Sequence, residues 1–381
     1  MRIIKIFFVD CTIKIFNYLI SIIKFFLWVK KPKKIKKIIV YKIGNIGDII
    51  TIYPSVSYIR KLYPDAKIDF LTSPGNIKIK SAAQLLKNQK VVDNIIMYYD
   101  DDIKKNNIIK LIKRLRSSSY ELGYVFNDDK TPFLKHIRNL FFFRLLKIKY
   151  VYSTNLNRIE LFKRTYSSKK PYPYINEVQR NLDLFKTNFS SNDIKELFFY
   201  KKNETEKLVE FKNSISIAIG AKFSYKKWSL SNFFEVSKLF LIKMENPIIF
   251  YIGDKSDKVQ VDKIIQLLKK DKDILNLNIN INDALKNLCN KTSMNESINI
   301  IQNSKILLCN DSGPAHLSSF TNTKTISIQS PSDFRLKWDP YFSKDLVLRP
   351  FNEICSCTLK DCNCIDLITY DKVWDLTKGI I

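Results

Sequence analysis

Short apolar runs alternate with longer amphipathic segments along most of the chain. Apolar runs bounded by polar turns predict buried strands, and the longer segments predict helices that cover them. In the first half, strands are predicted at residues 38–40, 67–71, 92–97 and 120–126, with a loop and helix over 49–62. This alternation of strand and helix is typical of a parallel sheet with helices packed on its faces.

The alternation is interrupted once and then starts again. Polar stretches at 188–193 and 201–206 indicate a domain boundary in this region. Beyond it, further strands are predicted at residues 214–219, 247–251, 305–309 and 324–328. A chain of 381 residues suits two domains of average size. The sequence therefore predicts an α/β protein with two Rossmann-like domains, at residues 35–200 and 201–365.

The first 34 residues follow a different pattern. Polar side chains recur there at alternating steps of four and three, which on a helix make one narrow stripe beside a wide apolar face: Asp10, Lys14, Asn17, Ser21 and Lys24. A lysine cluster follows at 30–37. We therefore predict an amphipathic helix in a membrane surface, although a helix packed on the protein's own core would show the same pattern. The two lysines within the apolar run argue against a transmembrane span.

The charge of the chain is strongly positive. It has 64 Lys and Arg against 37 Asp and Glu, a net charge of +27. Such an excess favours a polyanionic partner, whether nucleic acid, anionic lipid or phosphorylated glycan. A genome rich in A and T would produce part of the Lys, Ile and Asn bias without any selection on function. The basic residues are spread along the chain and no RNP, KH or helix-turn-helix signature appears, so we expect no nucleic acid among its partners.

A glycine-containing turn, KIGNIGD at residues 42–48, follows the first predicted strand. The turn is not a P-loop, because no Gly-Lys-Ser/Thr follows it. It is not a dinucleotide fingerprint either, because Gly44 and Gly47 are spaced G-x-x-G. A turn of this kind still exposes backbone N–H groups and lets a ligand approach closely. Asp48 closes the turn and can take a proton from an attacking hydroxyl, or it can simply cap the following helix.

A second turn, NDSGPAH at residues 310–316, follows another predicted strand. It offers a hydroxyl at Ser312, a tight bend at Gly313 and an early proline, which together suit a diphosphate at a helix start. His316 falls on the first helical turn and can donate to a phosphate oxygen. Asp311 either belongs to this binding site or braces the loop.

Two further turns carry charge. Lys226 and Lys227 follow the strand at 214–219 and can neutralise charge on a leaving diphosphate. Asp257 follows the strand at 247–251 and can accept hydrogen bonds from ribose hydroxyls. No Asp-x-Asp motif stands at a strand end, so we predict neither a catalytic metal nor another cofactor.

Several of these motifs occur in an order that resembles glycosyltransferase family nine, the ADP-heptose:lipopolysaccharide heptosyltransferases and their relatives. The shared segments are G-x-x-G-D at 44–48, LYPDAKI at 62–68, KKW at 226–228, KTS at 291–293 and NDSGPAHL at 310–317. The resemblance implies a GT-B fold, in which two Rossmann-like domains face a cleft, and a C-terminal helix at 366–381 that crosses back to the first domain. Two positions depart from the family pattern: Ser229 replaces a usual proline, and Lys222 stands near positions that often carry a hydroxyl.

The resemblance also implies roles for individual residues. Asp48 is the implied base, and Lys226 matches the lysine that contacts the donor phosphates. The diphosphate-binding turn is matched by Ser312, Gly313 and His316, while Asp257 roughly matches a ribose-binding acid. The implied reaction is an inverting, metal-independent sugar transfer from a nucleotide sugar, with ADP-heptose as the expected donor. The expected acceptor is a lipopolysaccharide core or other surface glycan, reached from the cytoplasmic face of the inner membrane.

Two other functions remain as alternatives. One is a basic nucleic-acid-binding protein, which the net charge supports. The other is a catalytically inactive glycan-binding relative, against which the joint presence of Asp48, Lys226 and His316 argues.

The seven cysteines fall into two groups. Cys11, Cys289 and Cys309 lie in or beside apolar runs, as expected of buried thiols in a reducing compartment. The other four are crowded near the C-terminus: Cys355, Cys357, Cys362 and Cys364. Their C-x-C pairs can hold zinc, but C-x₂-C is the commoner ligand spacing. We therefore expect a structural or redox-inert role rather than a metal site.

Overall fold

The computed structural model describes residues 34–73, 75, 82–101, 107–128, 133–148, 150–154, 176–198, 213–277, 279–352, 355, 357 and 362–381. The predicted amphipathic helix therefore lies outside the described residues, as does the polar stretch at 201–206. Among the helices that the structure describes, none is long and apolar enough to cross a bilayer.

The first domain is built on a five-stranded parallel sheet with the strand order β3-β2-β1-β4-β5. Its strands are β1 (Lys37–Tyr41), β2 (Lys67–Thr72), β3 (Asn94–Met97), β4 (Leu122–Val125) and β5 (Tyr150–Ser153). Its helices are α1 (Ile46–Leu62), α2 (Ala83–Asn88), α3 (Asn107–Ser117), α4 (Phe133–Leu145), α5 (Glu177–Leu182) and α6 (Ser191–Leu197). The four strands predicted from the pattern are confirmed, and β5 is an additional strand whose mixed pattern gave no signal.

The second domain is a six-stranded parallel sheet with the order β11-β10-β9-β6-β7-β8. Its strands are β6 (Ser214–Ala218), β7 (Ile248–Tyr251), β8 (Leu285–Asn287), β9 (Ile306–Asn310), β10 (Lys324–Ile328) and β11 (Val347–Leu348). Its helices are α7 (Leu230–Lys243), α8 (Lys255–Lys270), α9 (Lys272–Leu275), α10 (Ile281–Ala284), α11 (Met294–Gln302), α12 (Gly313–Leu317) and α13 (Tyr370–Thr377). The predicted α/β architecture with two Rossmann-like sheets is confirmed, while the short edge strands β8 and β11 were missed.

The central strands read as continuous apolar runs because helices cover both faces of each sheet. In β1, Ile38, Ile39 and Val40 are fully buried, and β9 is buried along its whole length. In a parallel sheet the carboxyl ends of all strands share one edge. The loops that follow β1, β6, β7 and β9 therefore lie at the edge where α/β folds bind their ligands.

One apolar cluster joins the two domains. It contains most of the buried residues of α1 and also residues of α11, β9 and α12 from the second domain. The ring of Tyr53 in α1 packs edge-on against Phe320, with centroids 4.7 Å apart, and stacks on Phe198 at 6.1 Å. The carboxyl end of the first sheet is therefore fixed against that of the second by a shared core.

The structure changes the prediction for two segments. The polar stretch at 188–193 is the start of α6, where Ser190 and Asp193 form a reciprocal capping box, so it belongs within the first domain. The C-terminal helix α13 packs on α7 of the second domain, with Trp374 edge-on to Phe240 at 5.7 Å, and its Val373 lies in the second core. The predicted return of this helix to the first domain is therefore wrong for the described residues.

A different segment of the second domain reaches back to the first. Asn176, the N-cap of α5, donates from its side chain to the carbonyls of Leu336 and Asp339, each at 2.9 Å. The Glu177 N–H donates to the Lys337 carbonyl at 3.0 Å. The loop around residues 336–339 thus holds the first domain through backbone carbonyls, which composition and periodicity do not reveal.

Candidate active site

The turn after β1 holds Asp48 in one orientation. Asp48 is the third residue of α1, and its Oδ2 accepts a hydrogen bond from the backbone N–H of Asn45 at 2.8 Å. The side chain lies directly over Gly44, where a Cβ would come within 2.4 Å of the Asp48 Cβ. Gly44 has a φ of +154°, so glycine is required here by both space and conformation. The capping role considered from the sequence is therefore present, and it fixes the carboxylate.

The environment of Asp48 is partly buried and contains a cation. The Nζ of Lys42 lies 3.7 Å from Oδ1 of Asp48, the oxygen that does not cap the helix. The Lys42 side chain is only 1% exposed, against 18% for Asp48, and it also pairs with Asp128. Burial raises the pKa of the Asp48 carboxyl, while the charge of Lys42 opposes that increase. The carboxylate is thus a stronger base than an exposed aspartate.

The turn after β9 is braced by Asn310. Its Oδ1 accepts from the Trp228 backbone N–H at 3.1 Å, and its Nδ2 donates to the Ile219 carbonyl at 2.7 Å. Asn310 therefore ties the loop after β6 to the loop after β9. The Ser312 hydroxyl donates to the Asn310 carbonyl at 3.3 Å.

The predicted phosphate-binding lysine is paired in the structure. The Nζ of Lys226 lies 2.6 Å from Oδ2 of Asp311, and both side chains are largely buried. The structure thus brings together the lysine of one predicted turn and the acid of another. Asp311 fixes the position of the Lys226 ammonium, so it has a bracing role, and its contact with a donor stays a prediction.

The glycine turns of the two domains meet at His316. A Cβ on Gly47 would lie 2.8 Å from Cδ2 of the His316 ring, so the absence of a side chain at Gly47 makes room for this histidine. On the facing turn, a Cβ on Gly313 would come within 3.1 Å of the Ile46 side chain. His316 is buried beside Trp338, and burial lowers its pKa to about 4. The imidazole is therefore neutral at physiological pH, and any phosphate contact that it makes is a hydrogen bond rather than an ion pair.

Asp257 lies on a different pair of loops. It is the third residue of α8, and its Oδ2 accepts from the Asp254 backbone N–H at 3.0 Å. Cβ atoms on Gly220 and Gly253 would come within 2.2 and 2.6 Å of that oxygen, so both glycines make room for the carboxylate. Burial raises the pKa of Asp257, and the nearby charge of Lys227 partly offsets this effect. The loop after β6, which carries Gly220 and Lys227, therefore adjoins the loop after β7, which carries Asp257.

Three charged residues that sequence reasoning missed belong to this site. Lys42 pairs with both Asp48 and Asp128, and the charge of buried Glu177 raises the pKa of both Asp48 and His316. The position of Lys42, directly after a buried strand, could have identified it as a site residue. The sequence around Glu177 carried no such signal, because it lies far from both Asp48 and His316 along the chain. Among the described residues, the side chains able to form a metal site of three or more ligands lie elsewhere, at the C-terminal cysteines.

Two Rossmann-like domains whose glycine turns meet across the carboxyl ends of their sheets have the architecture of the GT-B fold, here with the partly buried Asp48 on one side and Lys226 on the other. The chain belongs to glycosyltransferase family 9 (heptosyltransferase), whose family model matches residues 108–366. The resemblance that the motifs suggested is therefore confirmed, and with it the assignment as an enzyme.

The similarity extends over nearly the whole chain. A lipooligosaccharide heptosyltransferase 2 from Campylobacter jejuni is 24% identical over 352 residues, covering 91% of this chain and 98% of the relative. A family 9 glycosyltransferase structure from Veillonella parvula superposes with a TM-score of 0.66 at 15% identity, covering 92% of this chain and 98% of that one. The E. coli heptosyltransferase WaaC with ADP-2-deoxy-2-fluoro heptose gives 0.59 at 14% identity, covering 90% and 99%.

Proposed function

We propose that this protein is an inverting, metal-independent heptosyltransferase that moves heptose from ADP-heptose to a lipopolysaccharide or lipooligosaccharide core. The observation that carries the proposal is the Asp48 carboxylate, partly buried at the meeting point of the two domains and held by an N–H on one oxygen and by Lys42 near the other. The heptosyltransferase relative from C. jejuni and the WaaC structure with an ADP-heptose analogue support the choice of donor and acceptor.

In this reaction Asp48 takes the proton from the acceptor hydroxyl. The hydroxyl oxygen forms a bond to the anomeric carbon while the bond from that carbon to the donor diphosphate breaks. The bonding electrons leave with the nucleoside diphosphate, and a single displacement inverts the anomeric configuration. General-base catalysis of this kind contributes about 10² to 10⁴ in rate. The raised pKa of Asp48 suits the role, because it brings the base closer to the pH at which it works.

The turns of the second domain hold the donor. The ammonium of Lys226, fixed by Asp311, neutralises the charge that develops on the leaving diphosphate. The helix start at Ser312 and Gly313 supplies backbone N–H groups, and neutral His316 donates one further hydrogen bond. Asp257, with Lys227 beside it, accepts from ribose hydroxyls through Oδ1, because Oδ2 already caps α8.

A donor screen tests this function. Purified protein would be offered ADP-heptose and a panel of ADP-, UDP- and GDP-hexoses, with a heptose-deficient core oligosaccharide as acceptor, and the products would be measured by mass spectrometry. We expect transfer from ADP-heptose alone, unchanged by EDTA and by added Mg²⁺. Transfer from a UDP-sugar in preference, or a reaction that chelation stops and Mg²⁺ restores, would contradict the proposal.

The basic charge and the N-terminal segment fit an acceptor at a membrane surface. We propose that the enzyme works as a peripheral protein on the cytoplasmic face of the inner membrane, on an anionic glycolipid. Deleting residues 1–31 should release it from anionic liposomes in a sedimentation assay while leaving transfer to a soluble acceptor fragment largely intact. A truncated protein that still pellets fully would place the membrane contact elsewhere.

A further inference from the structure

Four cysteines close to the C-terminus meet at one point. The Sγ atoms of Cys355, Cys357, Cys362 and Cys364 all lie within 4.8 Å of one another. Cys355 and Cys362 are 3.5 Å apart, as are Cys357 and Cys364. Each close pair joins one C-x-C motif to the other, so the two motifs face each other and present all four sulfurs to a common centre.

This arrangement matches the ligand shell of a tetrahedral metal ion. Zinc–thiolate bonds of about 2.3 Å require neighbouring sulfurs to lie about 3.8 Å apart at tetrahedral angles. The two close pairs at 3.5 Å and the overall limit of 4.8 Å bracket that separation. Two independent disulfides, by contrast, need only pairwise proximity and give no reason for all four sulfurs to converge.

We propose that these cysteines form a four-thiolate site for a thiophilic metal ion, Zn²⁺ or iron, with a structural rather than a catalytic role. A site in which protein thiolates occupy every position leaves no place for a substrate or water, as in closed structural zinc sites. Metal binding replaces the thiol protons, which pass to solvent. This revises the expectation from C-x-C spacing, because spacing in the sequence does not show how two motifs face each other in space.

The position of the cluster suggests what the metal stabilises. The Cys355 N–H donates to the carbonyl of Pro331, and Cys364 begins the short 3₁₀ helix Cys364–Leu367. On that helix, Asp366 accepts from the Ser229 N–H at 2.9 Å. Just beyond it, the Ile368 carbonyl accepts from Nε1 of Trp228 at 2.6 Å.

The segment held in this way is the one that carries Lys226. The 3₁₀ turn Ser224–Lys226 directly precedes Trp228 and Ser229, so a metal at the cysteines would fix the segment on which the donor lysine stands. This link to donor binding rests on the function proposed above, whereas the metal site itself does not.

The metal site is tested without reference to activity. Full-length protein purified under reducing conditions would be analysed by inductively coupled plasma mass spectrometry, after growth with added zinc and, separately, with added iron. We expect about one metal ion per chain, and the growth condition distinguishes zinc from iron. After removal of the native metal, Co²⁺ should give the intense visible bands of tetrahedral cobalt thiolate.

Cysteine variants separate this site from adventitious binding. Cys357→Ser and Cys364→Ser should each abolish the cobalt bands and the bound metal, whereas Cys289→Ser, at a buried cysteine outside the cluster, should keep both. A wild-type protein that binds no metal under either growth condition, or that contains disulfides pairing Cys355 with Cys362 and Cys357 with Cys364 when isolated anaerobically, would overturn the proposal.

The link to the donor turn needs a second measurement. Titration with ADP should show weaker binding to metal-free protein than to zinc-reloaded protein, with recovery on reloading. If the metal binds but ADP affinity does not change, the site stands and its link to Lys226 is wrong. If the protein binds metal but transfers no sugar from any donor, the proposed function fails while the metal site remains.

Discussion

Asp48 and Asp257 occupy the same local structure in the two domains. Each is the third residue of a helix that follows a glycine turn after a parallel strand. Each accepts a hydrogen bond from the N-cap N–H, at 2.8 Å for Asp48 and 3.0 Å for Asp257. Burial raises the pKa of both carboxyls. The capping motif therefore cannot by itself identify a catalytic base.

The two acids differ in the residues that surround them. Asp48 has a buried lysine near its second oxygen, and its turn lies against His316 of the other domain. Asp257 lies under Gly220 and near Lys227, both from its own domain. Since a transfer reaction joins a donor to an acceptor across a cleft, we propose that the acid at the domain junction carries the chemistry. We propose that the other acid binds the donor.

The largest expected effect comes from removing the base without removing the cap. Asp48→Asn keeps an oxygen that accepts from the Asn45 N–H, so the fold should be retained, while kcat falls about 10² to 10⁴ fold. Binding of ADP should change little, because the base acts on the acceptor. Steady-state kinetics and calorimetric titration with ADP would measure the two effects.

Two matched variants make this test specific. Asp257→Asn should mainly raise the donor KM, and Asp193→Asn, at the exposed capping box of α6, should change neither parameter. If Asp48→Asn retains near-normal turnover, Asp48 is only a helix cap and the comparison with Asp257 loses its functional meaning.

The next effect concerns the donor lysine. Hydrogen bonds to charged groups contribute about 1.5–3 kcal/mol, so Lys226→Ala should weaken ADP binding by roughly 10- to 100-fold. Asp311→Asn should weaken it less, because the lysine is kept but no longer fixed. Lys243→Ala, at the exposed end of α7, serves as the control. Unchanged ADP affinity in Lys226→Ala would remove this lysine from the donor site.

The sequence predicted the central strands of both sheets and the turns that follow them, because buried parallel strands are continuous apolar runs and the turns carry glycine and charge. It did not predict which turns meet. The contact of Gly47 with His316 and the pairing of Lys226 with Asp311 depend on how the domains pack. Lys42 was missed as a site residue because strand patterning counts a lysine as polar and exposed. In the structure Lys42 is buried, and two acids balance its charge.

A smaller effect tests the role of Lys42 in setting the pKa of Asp48. The positive charge of Lys42 lowers that pKa and the negative charge of Asp128 raises it. The base works only when ionised, so kcat/KM falls as the pH drops below its pKa. Lys42→Met should therefore move the acid limb of the pH profile to higher pH, and Asp128→Asn should move it to lower pH. Shifts in the same direction, or none, would show that the acid limb belongs to another group.

The smallest effect concerns stability, and here the two acids should behave alike. Replacing an acid of a capping box by alanine removes the hydrogen bond to the N-cap N–H, at a cost of about 1 kcal/mol. Asp48→Ala and Asp257→Ala should therefore lower the free energy of unfolding by similar amounts.

Both carboxyl pKa values are raised by burial, so ionisation of these groups opposes folding as the pH rises through those pKa values. The asparagine variants, which keep the acceptor and lose the charge, should accordingly be as stable as the wild type or more stable at neutral pH. Urea unfolding of the four variants at neutral pH measures this. If Asp48→Asn proved much less stable than Asp257→Asn, the ionised Asp48 would be needed for the fold through Lys42, and its loss of activity could no longer be assigned to catalysis alone.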